Sequence, residues 1–531
     1  MASKKNLRTS PASTLPSANE TEPGSPGLTR VFLGALCFLS WASVMVVEIC
    51  AYRLLAPQFG NSVFTWTALI GVILIASSAG GYLGGWLADR RPALDMMGWL
   101  LAGSAVLVFL IPTMHGLLGP AIAAGGHLIS GPVFISLLLF AVPGILLGAV
   151  SPAAVRFYSL TSSDTHVGAS AGVISMLGSL GSFTGTFLSG FFLISTFGVR
   201  SIFFGVAVLL LLLAVIAFFL ARNSVRQQIP VLLAGLIAAG VALGDRPVPP
   251  DDVIHEEESF YHRIRVSEAG QSPHKRRVLE LDSTQEGGMN PDTGELILAY
   301  QHYWRLSQLN ENLTLRRALF LGAGAFGMPN EVSRSYPEAH VDVAEIDPRV
   351  IEVGRKFFQL DQHPRVHAHA GDARRFLLLH DKPEERWDMI FGDAYNGIRA
   401  IPVHLTSQEF FQLVHDRLTD EGAFIMNVIS AVQGPRGELL AGLLSTVRTV
   451  FPHVEVFGVG GALSEPQNVI LLATKTSWNA RITDRFHAPG SMLQRIVSTH
   501  IPAARLPAPV MAFTDDKNPV DAIIARGLMT R

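Results

Sequence analysis

Apolar runs recur along the first half of the chain at about 31–55, 64–88, 96–118, 128–152, 167–195, 198–221 and 229–244, with short polar links between them. Each of the first six covers the ~20 residues that a helix needs to cross the hydrocarbon core, and predicts a transmembrane helix. The seventh is shorter, carries Pro230, and reads as a re-entrant or interfacial element. Residues 1–30, rich in Ser, Thr, Pro and Asn, have no apolar period and read as a flexible tail. Beyond the polar connector at 245–252 the pattern changes. Short β-rich runs at Tyr261–Val266 and Val278–Leu281 predict a small antiparallel element. Strand-like runs then alternate with helical stretches, at Ala318–Gly322, Val341–Glu345, Val366–Ala370, Met389–Asp393, Ala423–Ile429 and Val469–Ala473. That alternation predicts a Rossmann-like doubly wound parallel sheet with its ligand crevice at the strand C-termini. The resulting division is a tail (1–30), a multi-pass α-helical membrane domain of six to seven helices (31–244), an α/β domain (251–475) and a C-terminal extension without a usable motif (476–531).

Composition agrees with a part of the chain in lipid. Hydrophobic residues make up 49% and charged residues 16%, against about a quarter charged in soluble proteins. A net charge of −2 gives no electrostatic reason to expect nucleic acid as a partner. Cys37 and Cys50, the two cysteines, both lie in the first apolar run, so chemistry elsewhere must come from carboxylates, amides and aromatics. His363, His367, His369 and His380 lack a helical metal spacing, and no metal is expected. Lys4, Lys5, Arg8, Arg30, Arg90, Arg91, Arg156, Arg222 and Arg226 fall on alternate links, with Arg53 and Arg200 on the others, which predicts a cytoplasmic N-terminus. With a seventh segment that does not cross, the soluble half is expected on the cytoplasmic face of the cell (inner) membrane. Glu48, an ionisable group within the first run, is a candidate functional residue, with Arg53 about one turn away.

Gly322-Ala-Gly-Ala-Phe-Gly327 follows a strand and precedes a helical stretch, the context in which Gly322, Gly324 and Gly327 let the backbone approach a nucleotide-like ligand. About 20 residues on, Glu345 ends the second strand, where a carboxylate can accept both ribose hydroxyls. Asp372 ends the third strand, placed to accept from an adenine amino group while the Ala373 amide meets a ring nitrogen, and Asp393 ends the fourth. Acids at all three strand ends, without a Walker lysine, favour a positively charged sulfonium nucleoside over a dinucleotide or ATP. Tyr395 and Phe326 are candidate aromatic faces for the sulfur.

These residues resemble the spermidine synthase (polyamine aminopropyltransferase) family over about 250–475. The resemblance runs through Glu258–Val266, Leu281-Asp282…Gln285, Tyr300-Gln301, the glycine loop, Glu345-Ile-Asp347, Gly371-Asp372-Ala373, Asp393-Ala-Tyr395 and Leu405–Phe411. The apolar half resembles that of integral-membrane, fused spermidine synthase-like proteins through Arg53–Ser62 and Gly80–Arg90, and the latter stretch is also similar to a link in major-facilitator transporters. The resemblance implies a class I methyltransferase-like fold and aminopropyl transfer from decarboxylated S-adenosylmethionine, a co-substrate and not a permanent cofactor, to a diamine or polyamine. It also implies Asp393 as the base, Glu345, Asp372, Ala373 and the glycines on the nucleoside, Gln285 holding a substrate, and Tyr300, Gln301, Tyr395 and Asn396 beside the amine. The expected partners are the amine, the lipid bilayer and a second copy of the chain. Where the family usually carries two further acids and a glycine, this chain has Ala325, Asn396 and Ser283. Two other readings stay open: methyl transfer from S-adenosylmethionine, or a transporter or sensor whose soluble half only binds nucleoside or polyamine.

Overall fold

The computed structural model describes residues 26–60, 63–90, 94–124, 130–161, 167–221, 225–244, 250–311, 313–395, 400–478 and 490–529. The apolar half folds as α1 (Pro26–Phe59), α2 (Val63–Arg90), α3 (Leu94–Ala124), α4 (Ser130–Thr161), α5 (Val167–Leu188, continued by a π turn at Ser189–Leu193), α6 (Val199–Leu220) and α7 (Val225–Gly244). Among the described residues six helices, α1 to α6, are long and apolar enough to cross a membrane. The 229–244 segment, read from sequence as re-entrant or interfacial, belongs to a regular helix of 20 residues packed along α3 and against α6.

Small residues set the helix pairing. A Cβ on Gly80 or Gly84 would stand 2.1 or 2.2 Å from the carbonyl oxygen of Ile145 or Ala149, so only glycine lets α2 lie this close to α4. Gly181 and Gly185 do the same for α5 against Phe38 and Ala42 of α1, at 2.1 and 2.4 Å. Large side chains such as Ile75, Phe183, Phe191 and Phe219 point outward, as expected of a lipid-facing surface.

The second half begins with a four-stranded antiparallel sheet, β1 (Val253–Glu258), β2 (Arg263–Ala269), β3 (Arg276–Leu281) and β4 (Thr284–Met289), in sequential order. A seven-stranded sheet follows: β5 (Arg317–Leu321), β6 (His340–Glu345), β7 (Val366–Ala370), β8 (Trp387–Gly392), β9 (Leu418–Ser430), β10 (His453–Gly458) and β11 (Gln467–Thr474). Its spatial order is β10-β11-β9-β8-β5-β6-β7. Strands β5 to β9 are parallel, but β11 runs antiparallel to β9, and β10 to β11. The sheet is therefore mixed and not wholly parallel: a helix at Glu438–Val447 crosses from β9 to β10, and the short return from β10 then inserts β11, reversed, between the two. Helices α8 (Gly327–Ser335), α9 (Pro348–Phe357) and α10 (Ala373–Leu379) follow β5, β6 and β7. The order reverses between β5 and β8, a switch point at which ligands bind.

The two halves touch at named groups. The Arg53 guanidinium, near the end of α1, donates from Nη2 to the Ser259 carbonyl (3.0 Å) and from Nη1 to the Tyr261 carbonyl. The Val199 N–H, at the start of α6, donates to Glu258 Oε2 (2.7 Å). Arg53 is thus engaged by the soluble half through the turn between β1 and β2.

Candidate nucleoside site

The glycine loop leaves β5 at the switch point. Gly322 has φ +96°, and a Cβ there would stand 2.4 Å from the Asp393 carbonyl oxygen, so the residue must be glycine for β5 and β8 to end side by side. Gly324, at φ +49°, passes equally close to the Glu286 carbonyl (2.5 Å). At Gly327 a Cβ would meet Leu296 at 2.8 Å, so the third glycine serves packing where α8 begins. Phe326 departs from its sequence reading. It adopts φ 56°, is fully buried under the loop, and leaves no face toward a ligand.

A cavity of about 630 Å³, open mouth included, lies over these strand ends. Glu345, Asp372 and Asp393 all line it, with His262, Glu286, Tyr395 and His404, so the three acids predicted from strand ends converge on one hollow.

Glu345 is buried, with Oε2 accepting from the Ala323 N–H (3.0 Å) and Oε1 from the Asp347 N–H (2.9 Å). Burial pushes its carboxyl up, and those two amides oppose the shift. Each oxygen keeps a lone pair for a ribose hydroxyl. Asp347 in turn caps α9 at the Arg349 N–H (2.9 Å) and accepts from the Ser259 hydroxyl, which ties the Arg53-bound turn to the end of β6.

Asp372 caps α10 through the Arg375 N–H (2.8 Å), and its Oδ2 is joined to His404 Nε2 at 2.7 Å. The histidine bond leads the causes that hold this carboxyl below its ordinary range. Ala373 lines the cavity beside it.

Asp393 ends β8 and its N–H bonds the Leu321 carbonyl (2.9 Å). Its Oδ1 accepts from Asn427 (2.8 Å), whose own Oδ1 accepts from Asn468 (3.0 Å). Burial pushes Asp393 up to about 6, against the hydrogen bond from Asn427 and the neighbouring Tyr300 hydroxyl. A carboxyl in that range is matched to accepting a proton near neutrality.

Sequence reading named Gln285 and missed Glu286. In the β3–β4 ladder Leu279 pairs with Gly287 and Glu280 with Gln285, so Glu286 is the extra residue of a bulge. The bulge aims Glu286 into the cavity and leaves Gln285 exposed. Burial, then the nearby Asp393 charge, pushes Glu286 up to about 8. The Gly287-Gly288 pair inside a strand was the available signal. His404 carried none, because it reaches Asp372 across 32 residues of chain.

The Tyr300 hydroxyl donates to the Glu286 carbonyl (3.0 Å) beneath the acids. Tyr395 is fixed by donating to the Asn427 carbonyl (2.9 Å) and accepting from the Ile429 N–H (3.0 Å). Gln301 is buried behind the glycine loop, its Oε1 accepting from the Leu298 N–H (3.2 Å), and does not line the cavity. Asn396 lies outside the described residues. Among the described residues, no group of three or more His, Cys, Asp or Glu is arranged to hold a metal.

Residues 299–459 match the family profile described as "Spermine/spermidine synthase domain". A polyamine aminopropyltransferase of Vibrio vulnificus (strain CMCP6) is 29% identical over 232 residues, covering 42% of this chain and 73% of that protein. The human eEF1A lysine and N-terminal methyltransferase is 31% identical over 155 residues, which is 28% of this chain and 22% of that protein. A crystal structure of a probable spermidine synthase from Corynebacterium glutamicum ATCC 13032 is 20% identical, with a TM-score of 0.37, covering 47% of this chain and 86% of that one. The second half of the chain, of Rossmann-like fold and carried on a bundle of apolar helices, is thus similar to spermidine synthases and polyamine aminopropyltransferases.

Proposed function

We propose that this protein is a membrane-bound aminopropyltransferase, with a membrane domain over 31–244 and a nucleoside-binding domain over 251–475. The donor is decarboxylated S-adenosylmethionine and the acceptor a diamine or polyamine. The observation that carries the reading is the convergence of Glu345, Asp372, Asp393 and Glu286 on one cavity. Glu345 takes the ribose, and Asp372, steadied by His404, takes the adenine edge beside the Ala373 amide. Asp393 and Glu286 face the charged end. There the amine nitrogen forms a bond to the aminopropyl carbon next to the sulfonium, the carbon–sulfur bond breaks, and its electron pair leaves with methylthioadenosine. The proton released by the amine passes to Asp393, an amine near pKa 10 needing such an acceptor as the new bond forms.

Glu286 also bears on the two acids that this chain lacks at 325 and 396. A carboxyl held neutral near pH 7 by burial ionises when a cation arrives beside it, so it supplies negative charge only with the substrate in place. Incubating the purified full chain with decarboxylated S-adenosylmethionine and a diamine tests the reading. Methylthioadenosine and the aminopropylated amine should form one for one, and Asp393→Asn should slow both by about 10²–10⁴-fold. Formation of the homocysteine nucleoside from S-adenosylmethionine, with no methylthioadenosine from the decarboxylated donor, would establish methyl transfer instead, the reading that the human methyltransferase similarity favours.

A further inference from the structure

We infer that the transferase domain lies on the extracytoplasmic side of the membrane, docked on the end of the helix bundle opposite its basic links. The first line of argument is the direction of the helices. Helix α1 runs from Pro26 to Phe59, so Arg53 stands near its finishing end, and there it holds the carbonyls of Ser259 and Tyr261. Helix α6 starts at Val199, whose N–H is met by Glu258. In a bundle whose successive helices alternate in direction, the end of the first and the start of the sixth lie at the same end. Two contacts separated by about 145 residues of chain therefore place the β1–β2 turn at one end, the end away from the start of α1. The chain path agrees. Helix α7 has 20 residues, about 30 Å at 1.5 Å per residue, and returns the chain to that same end just before β1.

The second line is charge. Of the eleven Lys and Arg residues before position 245, Arg30, Arg90, Arg156 and Arg226 stand toward the opposite ends of described helices, and Lys4, Lys5, Arg8, Arg91 and Arg222 precede or adjoin those ends in sequence. The other two are Arg53 and Arg200, and Arg53 is taken up by the docked domain. Basic links stay in the cytoplasm. The docked end is then outside. This replaces the cytoplasmic placement expected from sequence, which rested on a seventh segment that does not cross.

The placement has a consequence for supply, one that rests on the proposed function while the placement itself does not. A charged sulfonium nucleoside does not cross hydrocarbon unaided, so a site on that face requires a preceding transport step that delivers it.

Impermeant thiol labelling decides the matter without any assay of activity. Native Cys37 and Cys50 are buried, so single cysteines can be added as reporters. Glu384→Cys and Asp516→Cys mark exposed positions of the soluble half, and Leu160→Cys the exposed end of α4 on the basic side. In right-side-out vesicles a membrane-impermeant maleimide should block both soluble-half cysteines and spare Leu160→Cys, which should react after permeabilisation. Protection of Glu384→Cys and Asp516→Cys in sealed vesicles overturns the proposal. So does labelling of all three from outside, because the bundle would not then separate them. Two reporters keep the test intact if one variant fails to fold.

Discussion

Replacing Glu286 by Gln tests the least anticipated part of the site. The carboxyl lies in the cavity because a bulge turns it there, and burial beside Asp393 pushes it up to about 8. Gln keeps the shape and removes the charge. A hydrogen bond to a charged partner is worth on the order of 1.5–3 kcal/mol, which at 1.4 kcal/mol per decade is roughly a 10- to 150-fold rise in the KM of the cationic substrate. The pH dependence has a definite sign. Glu286 holds a cation only when ionised, and its ionised fraction grows as pH rises through about 8. The parent's kcat/KM should therefore climb through that region, beyond the limb that Asp393 contributes near 6. The Gln variant should retain the lower limb and lose the upper. Initial rates of methylthioadenosine release measured from about pH 5.5 to 9 separate the two. An unchanged KM with superimposable pH profiles would refute the assignment of Glu286 to the charged end.

Four further outcomes follow from the same geometry. Asp393→Asn should lower kcat by about 10²–10⁴ while affinity for the neutral methylthioadenosine changes little, as measured by turnover and calorimetry. His404→Ala frees an oxygen of Asp372 and should raise the nucleoside KM several-fold with kcat nearly constant; a loss confined to kcat would place His404 elsewhere in the reaction. Arg53→Ala unfastens the turn that carries Ser259 from the bundle and should weaken methylthioadenosine binding to the full chain in lipid nanodiscs, with Arg53→Lys intermediate. The stability difference between Glu286→Gln and the parent should depend on pH. The folded carboxyl sits near 8 and the unfolded one near 4.5, so the native state loses stability as pH rises between them. The variant escapes that loss, and its Tm should exceed the parent's at pH about 9 and match it near pH 4.

Much of this architecture is legible in the sequence because it depends on local pattern. Runs of ~20 apolar residues specify bilayer-length helices whatever their neighbours. Strand-and-helix alternation located β5 to β9 and β11 to within a few residues, and the acids at strand ends fell together because parallel strands finish on one edge. What was not legible depends on register and direction. Nothing in the composition of β11 says that it runs against β9, and β10, a six-residue edge strand, went unread although Val454 and Val456 alternate with His453 and Glu455 as in a strand. The bulge at Glu286 exchanges the inward and outward faces of one strand, so the residue that the resemblance implied, Gln285, turns outward and its neighbour inward. Phe326 was misread because an aromatic beside a glycine loop gives no sign of which way a left-handed backbone turns it.

The central claim is that one cleft collects negative charge for a positively charged thioether-type nucleoside. Its most direct test compares the affinity of the full chain for decarboxylated S-adenosylmethionine with that for neutral methylthioadenosine, by calorimetry, as pH is raised. The acids ionise as pH passes about 6 and then about 8, so the sulfonium's advantage should be small in acid and grow across that interval. Equal affinity for the two at every pH, or an advantage that shrinks as the acids ionise, would contradict the account.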